Sequence, residues 1–260
     1  IKQCLVGSEM CIRDSGYVGR GNIAIPGLPY GILEGELIRR DYGSLDGTDV
    51  TQVHWDDRTG YTPIVNANGG YQFLGYGVIG NPQPDYVYGV TNTLSYKWAT
   101  LRVQFDSQVG GDVFSTTNST LLGRGILQET DFDRFVPVVT NGLSADGTPN
   151  TTQTTANAHY WPNTGVFYDE NSIYDASVMR LREVSLSFVA PKSFLNGTPF
   201  GNASLTLSAQ NIWHYAWNTP SGTNFDPEVI SYGAGSNARG FDEMTGPTAK
   251  KYGATLSLTF

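Results

Sequence analysis

Residues 251–260 alternate to the last position. Tyr252, Ala254, Leu256, Leu258 and Phe260 form one row, and Gly253, Thr255, Ser257 and Thr259 form the other. A strand sends successive side chains to opposite faces, so this segment has one apolar face and one small polar face. In a soluble sheet the apolar row meets a core; in a membrane barrel it meets lipid, and the polar row borders a wet lumen. Chain ends ordinarily fray, so a strand patterned up to a terminal aromatic needs that end held.

The same period recurs upstream. Tyr86, Tyr88, Val90, Leu94 and Tyr96 share a face, interrupted by Asn92. Leu101, Val103 and Phe105 alternate with Arg102, Gln104 and Asp106, a set that needs water on its side. Val184, Leu186 and Phe188 oppose Ser185, Ser187 and Val189, and a slip in the pattern at Arg180, Leu181 and Arg182 predicts a β-bulge. Ala203, Leu205, Leu207 and Ala209 oppose Ser204, Thr206, Ser208 and Gln210. With weaker strands over 16–24 and 30–39 the count is about seven.

The connections between these strands alternate strictly in length. Residues 25–29, 97 and 191–202 are short; 41–84, 110–175 and 213–249 are long and polar. In an up-and-down barrel every second connection falls at the same end, so all long loops gather at one end and all turns at the other. A β-sandwich can alternate its faces in the same way but has no reason to sort its connections by length. The expected fold is therefore all-β, an incomplete antiparallel up-and-down transmembrane β-barrel with long extracellular loops. Tyr86, Tyr88 and Phe105 would fall near the outer aromatic girdle, and Tyr96, Trp98, Phe188 and Phe260 near the inner one.

Composition narrows the alternatives. Charged residues are 15% of the 260, well below the usual quarter, and Gly, Tyr, Asn, Thr and Ser take their place, a mixture that favours strands and turns. A net charge of −8 argues against nucleic acid as a partner. No apolar run approaches the length of a membrane-spanning helix. Residues 1–15 (IKQCLVGSEMCIRDS) hold both cysteines, Cys4 and Cys11, and lack strand alternation and turn glycines. They read as a foreign assembly-junction segment ahead of a barrel portion over 16–260. On that reading the barrel portion has no cysteine, which suits an exported protein, and the true N-terminus with its signal peptide is missing.

Several motifs in order carry a family resemblance. Ile79-Gly80-Asn81-Pro82-Gln83-Pro84-Asp85-Tyr86, Tyr88-Gly89, Asn92 and Tyr96-Lys97 resemble the GNPxPDxxYGxxNxxxYK stretch of SusC/RagA-type TonB-linked outer-membrane proteins. Phe105-Asp106 and Gly110-Gly111-Asp112 are similar to the next segment of that family, and Ala176-Ser177 with Met179–Val184 resembles its ASFxRLREVxLSY. Gln210-Asn211-Ile212, Asp226-Pro227-Glu228 and the closing signal Lys251, Gly253, Leu256, Leu258 and Phe260 fit in order; Val178 and Gln210 depart from the family's usual aromatic and Arg. The resemblance implies the C-terminal third of a plugged barrel of about 22 strands, in the bacterial outer membrane. It implies TonB-driven uptake of oligosaccharides or peptides with a SusD-like surface lipoprotein, the plug and TonB box lying in a missing N-terminal part. It implies neither a cofactor nor catalysis.

On this reading Arg102, Gln104, Asp106 and Gln210 would line the lumen. Tyr160, Trp161 and Trp217 are large rings in polar loops, suited to stacking on a solute, although Trp213 directly follows a strand and reads as girdle. Gly75, Gly77 and Gly80 match a dinucleotide fingerprint in letters only, because Pro82 and Pro84 stand where its helix would begin. His54, His159 and His214 lack metal-ligand spacing. The loop 44–49 has two carboxylates but not the full EF-hand pattern. Asp131 with Asp133, or Asp169 with Glu170, would be the acid pair of a glycoside hydrolase. That reading and a secreted carbohydrate-binding β-sandwich are the rivals.

Overall fold

Five strands form one antiparallel meander: β1 (Tyr86–Tyr96), β2 (Ala99–Val109), β3 (Val178–Val189), β4 (Asn202–Tyr215) and β5 (Lys251–Thr259). Each pairs only with its neighbours in sequence, in the order β5-β4-β3-β2-β1. The computed structural model describes residues 20–42, 55–163, 168–220, 222–223, 225–228, 238–246 and 248–260. The segment 1–15, the start of the first expected strand, the acidic loop 44–49 and His54 lie outside them.

The strands are 11, 11, 12, 14 and 9 residues long. About 9–11 tilted residues suffice to cross a bilayer. The turn between β1 and β2 is as tight as a hairpin allows: Tyr96 pairs with Ala99, and Lys97 takes φ 52° to close it. The predicted bulge is present. Leu181 faces Phe105 and Glu183 faces Gln104, so Arg182 is an extra residue on β3. Its neighbour β4 is irregular at the same level, where Asn211 has φ 53°. The extra residue switches which parity of β3 is apolar, from Met179 and Leu181 to Val184, Leu186 and Phe188.

These strands belong to one compact unit, residues 84–110, 177–217 and 247–260. The other unit takes the described residues up to Gln83 together with 111–176 and 218–246. The three long connections are thus folded chain, with a core of Leu33, Leu37, Ile79, Phe114 and Phe241. Asp112–Ser115 lies between Ile173–Asp175 and Phe241–Asp242, pairing antiparallel with the first and parallel with the second. Ser115 then caps the helix Thr116–Gly123, accepting from the Asn118 amide and donating to Asp242 Oδ2 at 2.7 Å.

Two of the seven expected strands lie in this second unit. Gly21–Ile23 and Ile32–Ile38 form a three-stranded sheet with Phe73–Gly80, a strand where the sequence predicted loop. Ile32, Leu33, Leu37 and Ile38 are all buried, so this strand is covered on both faces. The period-2 signal is weak here for that reason. Glycines break the pattern of Phe73–Gly80 because its neighbours leave no room: a Cβ on Gly77 would stand 2.8 Å from Leu37 Cδ1, and one on Gly80 2.8 Å from Asp112 Oδ2. The fingerprint glycines are therefore strand residues, Gly77 and Gly80 in close packing and Gly75 in open space with φ 147°.

Asp169 and Glu170 clamp the edge of that sheet. Gly21–Ile23 pairs only with 32–34, and the next two edge amides, of Glu36 and Ile38, donate to Asp169 Oδ2 and Glu170 Oε2, each at 3.0 Å. Asp169 also pairs with Arg20, and Glu170 with Arg40 at 2.5 Å. The side chains do what a neighbouring strand would do. Burial raises the Asp169 carboxyl above its ordinary value, against the lowering pull of Arg20. Replacing Asp169 by Ala leaves a buried amide and an arginine without their acceptor. We expect a loss of about 2–3 kcal/mol from this unit, allowing for the partial exposure of Arg20. Urea dependence of its proteolysis measures this, and a change below about 0.5 kcal/mol would show that the clamp is dispensable.

Candidate functional site

The register of the five strands decides where the polar side chains go. Leu94, Leu101, Leu186, Leu207 and Ala254 stand opposite one another across the sheet. The next rows of that face are Tyr96, Ala99, Phe188, Leu205 and Leu256 on one side, and Asn92, Val103, Val184, Ala209 and Tyr252 on the other. The opposite face aligns Thr91, Gln104, Glu183, Gln210 and Lys251, then Thr93, Arg102, Ser185, Ser208 and Gly253, then Ser95, Thr100, Ser187, Thr206 and Thr255. Every row keeps its chemical character, with Asn92 the one polar intruder on the apolar side.

Arg102, Gln104, Asp106 and Gln210 therefore share the polar face. Gln104 and Gln210 flank Glu183 in one row. Asp106 is held by Arg182, the bulge residue, whose Nε and Nη2 reach its two carboxylate oxygens at 2.8 and 2.7 Å. Arg182 also reaches Asn211 Oδ1 at 3.4 Å. The bulge thus delivers an arginine to the polar face at the height of a carboxylate on the adjacent strand. Arg182, Glu183 and Lys251 are polar-face residues that the sequence pattern did not single out. The slip at 180–182 was the available signal.

The apolar face is bare. Leu205, Leu207, Leu256 and Leu258 are 39, 44, 65 and 39% exposed. A β-sandwich would bury these leucines under a second sheet, so the sandwich alternative is corrected by this finding. Aromatics collect at both ends of the face. Tyr86 stacks on Tyr88 at 6.4 Å, and Trp213, Tyr215 and Trp217 form a ladder with 6.4 Å steps, at the end of the long connections. Trp98 packs on Phe188 at 5.6 Å and Phe200 on Phe260 at 5.3 Å, at the turn end. The closing residues Gly253, Leu256, Leu258 and Phe260 lie on and just beyond β5, with Gly253 opposite Ser208, where its missing side chain leaves room for the Ser208 hydroxyl.

The ring candidates are dispersed. Trp217 continues the Trp213–Tyr215 ladder. Tyr160 and Trp161 lie on the helix Ala156–Asn163 in the other unit, Tyr160 against Phe132 and Trp161 under Arg124, whose guanidinium carbon is 5.0 Å from the ring centre. Beside them the Thr140 hydroxyl donates to the Gly69 carbonyl at 2.5 Å, so its 3.0 Å contact with His159 Nδ1 has the imidazole as donor. That hydroxyl is no activated nucleophile. Asp133 accepts from the Phe135 amide in a turn, and Asp169 and Glu170 are committed to the clamp. Of the acid pairs weighed for a glycoside hydrolase, Asp169 with Glu170 is thus occupied in the clamp, and Asp133 in its own turn. Among the described residues no group of three His, Cys, Asp or Glu converges on a possible metal position.

An antiparallel meander of bilayer-spanning strands, with one bare apolar face, one polar face and aromatics at both ends, is the wall of a membrane β-barrel. No family model matches the chain. It is 27% identical over 200 residues to TonB-dependent receptor P3 of Formosa agariphila, covering 70% of this chain and 17% of the receptor. Over 192 residues it is 27% identical to TonB-dependent receptor P26 of the same organism, covering 70% of this chain and 18% of the receptor. The RagAB peptide importer in its open-open state aligns with 99% of this chain and 25% of its own, at a TM-score of 0.55 and 16% identity, which shows the shared fold. The chain spans less than a fifth of the length of the curated relatives it matches. The similarity to these TonB-dependent receptors covers most of the chain, and its fold is that of a stretch of the RagAB importer. Its relatives are receptors and transporters, not enzymes.

Two substitutions at adjacent positions separate the faces. Leu207→Arg places a charge among the leucines at mid-height and should cost about 2–4 kcal/mol of stability in lipid vesicles. Ser208→Arg, on the polar face, should cost less than about 1 kcal/mol. Equal costs in urea titrations of the membrane-inserted receptor would show that the faces are misassigned. A double-mutant cycle on Asp106→Asn and Arg182→Gln should give a coupling on the order of 1 kcal/mol, as the pair is partly exposed.

Proposed function

We propose that this segment forms part of the wall of a transporter that takes up oligosaccharides or peptides across the outer membrane. TonB would drive it through another part of the receptor, and a SusD-like surface lipoprotein would work with it. The observation that carries this reading is the alignment of polar with polar and apolar with apolar rows across all five strands. Such a wall has lipid on one side and water on the other. The relatives named as TonB-dependent receptors support the TonB coupling. The polar face supports a lining role for Arg102, Gln104, Asp106 and Gln210. Tyr160, Trp161 and Trp217 keep part of their ring surface open and would contact the solute.

Uptake in cells tests the proposal. A strain in which the receptor carrying this segment is the test protein should import labelled peptides or oligosaccharides. Uptake should stop when TonB is removed and fall when the SusD-like partner is deleted. A cysteine at Ser208 should react with a water-soluble maleimide, whereas one at Leu207 should not. TonB-independent uptake, or labelling of Leu207→Cys in place of Ser208→Cys, would overturn it.

A further inference from the structure

Acidic residues are absent from most of this wall. Residues 86–105, 184–217 and 248–260 contain no aspartate or glutamate, in a chain of net charge −8. The three acids of the sheet-bearing unit are Asp85, Asp106 and Glu183. All three lie at mid-height or toward the long connections. Beyond the row of Leu94, Leu101, Leu186 and Leu207, the only charged side chains toward the turn end, among the described residues of this unit, are Lys97 and Lys192.

Lys97 lies over an aromatic ring, and Lys192 opens a short helical turn that carries the exposed ring of Phe194. Lys97 occupies the two-residue turn after β1, with its Nζ 5.2 Å from the centre of the Tyr96 ring. The Val189 amide donates to the Trp98 carbonyl at 2.8 Å, which ties this turn to the end of β3. From there the chain passes through Pro191 into the short helical turn Lys192–Leu195. Tyr96, Trp98, Phe194 and Phe260 are 73, 50, 77 and 86% exposed. Aromatic rings of this kind settle at headgroup level. A lysine there adds a cation whose stem lies along apolar surface while its ammonium reaches the phosphates.

We propose that this rim binds the phosphates of anionic phospholipid headgroups in the leaflet on the turn side, with Lys97 and Lys192 as the anchoring cations. The proposal rests on the sheet being a barrel wall. Charge complementarity selects the occupant: two ammonium groups, no neighbouring carboxylate side chain, and exposed rings that exclude a water-filled partner surface. Zwitterionic phosphatidylcholine carries its own cation and gains little from the lysines.

Lipid-specific quenching tests it. The receptor carrying this segment is reconstituted in phosphatidylcholine vesicles with a minor fraction of phosphatidylglycerol, with bromine on the acyl chains of one lipid or the other. The contribution of Trp98 is the difference between the parent protein and Trp98→Phe. Brominated phosphatidylglycerol, at equal mole fraction, should quench Trp98 several-fold more than brominated phosphatidylcholine. Each of Lys97→Gln and Lys192→Gln should lower that preference by roughly fivefold or to parity. Equal quenching of the parent protein by the two lipids, or a preference unchanged in the double variant, would overturn the proposal and leave the barrel wall intact. No quenching by either lipid would overturn both.

Discussion

Strand register is the constraint on which this structure rests. The side-chain period of a strand is two, so a slip of one residue would move Leu101, Leu186 or Leu207 to the watery face and bring Arg102, Ser185 or Ser208 into lipid. Within a bilayer the backbone has no water to bond, so each strand must find its amide and carbonyl partners in its neighbours. The requirement for a complete ladder and the requirement for matched faces are met by the same pairing. The tight turn at Lys97 sets the offset between β1 and β2. The bulge at Arg182 lets β3 match β2 on both sides of its parity change.

The long connections have a different solution. They exclude water by forming their own core around Phe114, Phe241 and Leu33. Their charged groups are handled by pairing, as the clamp of Asp169 and Glu170 shows. An edge amide capped by a carboxylate leaves no unsatisfied donor and no ladder open for another chain. Tyr160, Trp161 and His159 therefore sit in a packed environment, where a ring has a neighbour to lean on, and not on a loose tip.

Much of the wall was legible in the sequence because binary alternation is all that a membrane strand needs. Residues 203–210 and 251–260 display it without interruption, and even the bulge left its mark as a slip at 180–182. The order of the family motifs carried the identification further than pattern alone. The folded connections were not legible, for physical reasons. Ile32–Ile38 is buried on both faces and so lacks alternation, and Phe73–Gly80 trades side chains for close approach at Gly77 and Gly80. The partner of Asp106 was hidden because it stands 76 residues away, and pairing over that distance is a property of the register. The ring of Trp217 read in sequence as a candidate for stacking on a solute, and the structure sets it in a ladder with Tyr215.

The irregularity shared by β3 and β4 has a geometric consequence. A residue inserted in one strand, beside a left-handed residue in the next, makes both ribbons coil more sharply at one level than above or below it. A cylinder cannot be closed from flat staves, and here the extra bend is written into two adjacent inner staves and locked by the guanidinium of Arg182. The bore of the assembled cylinder should thus be shaped at that height by backbone geometry, before any solute or neighbouring domain enters it.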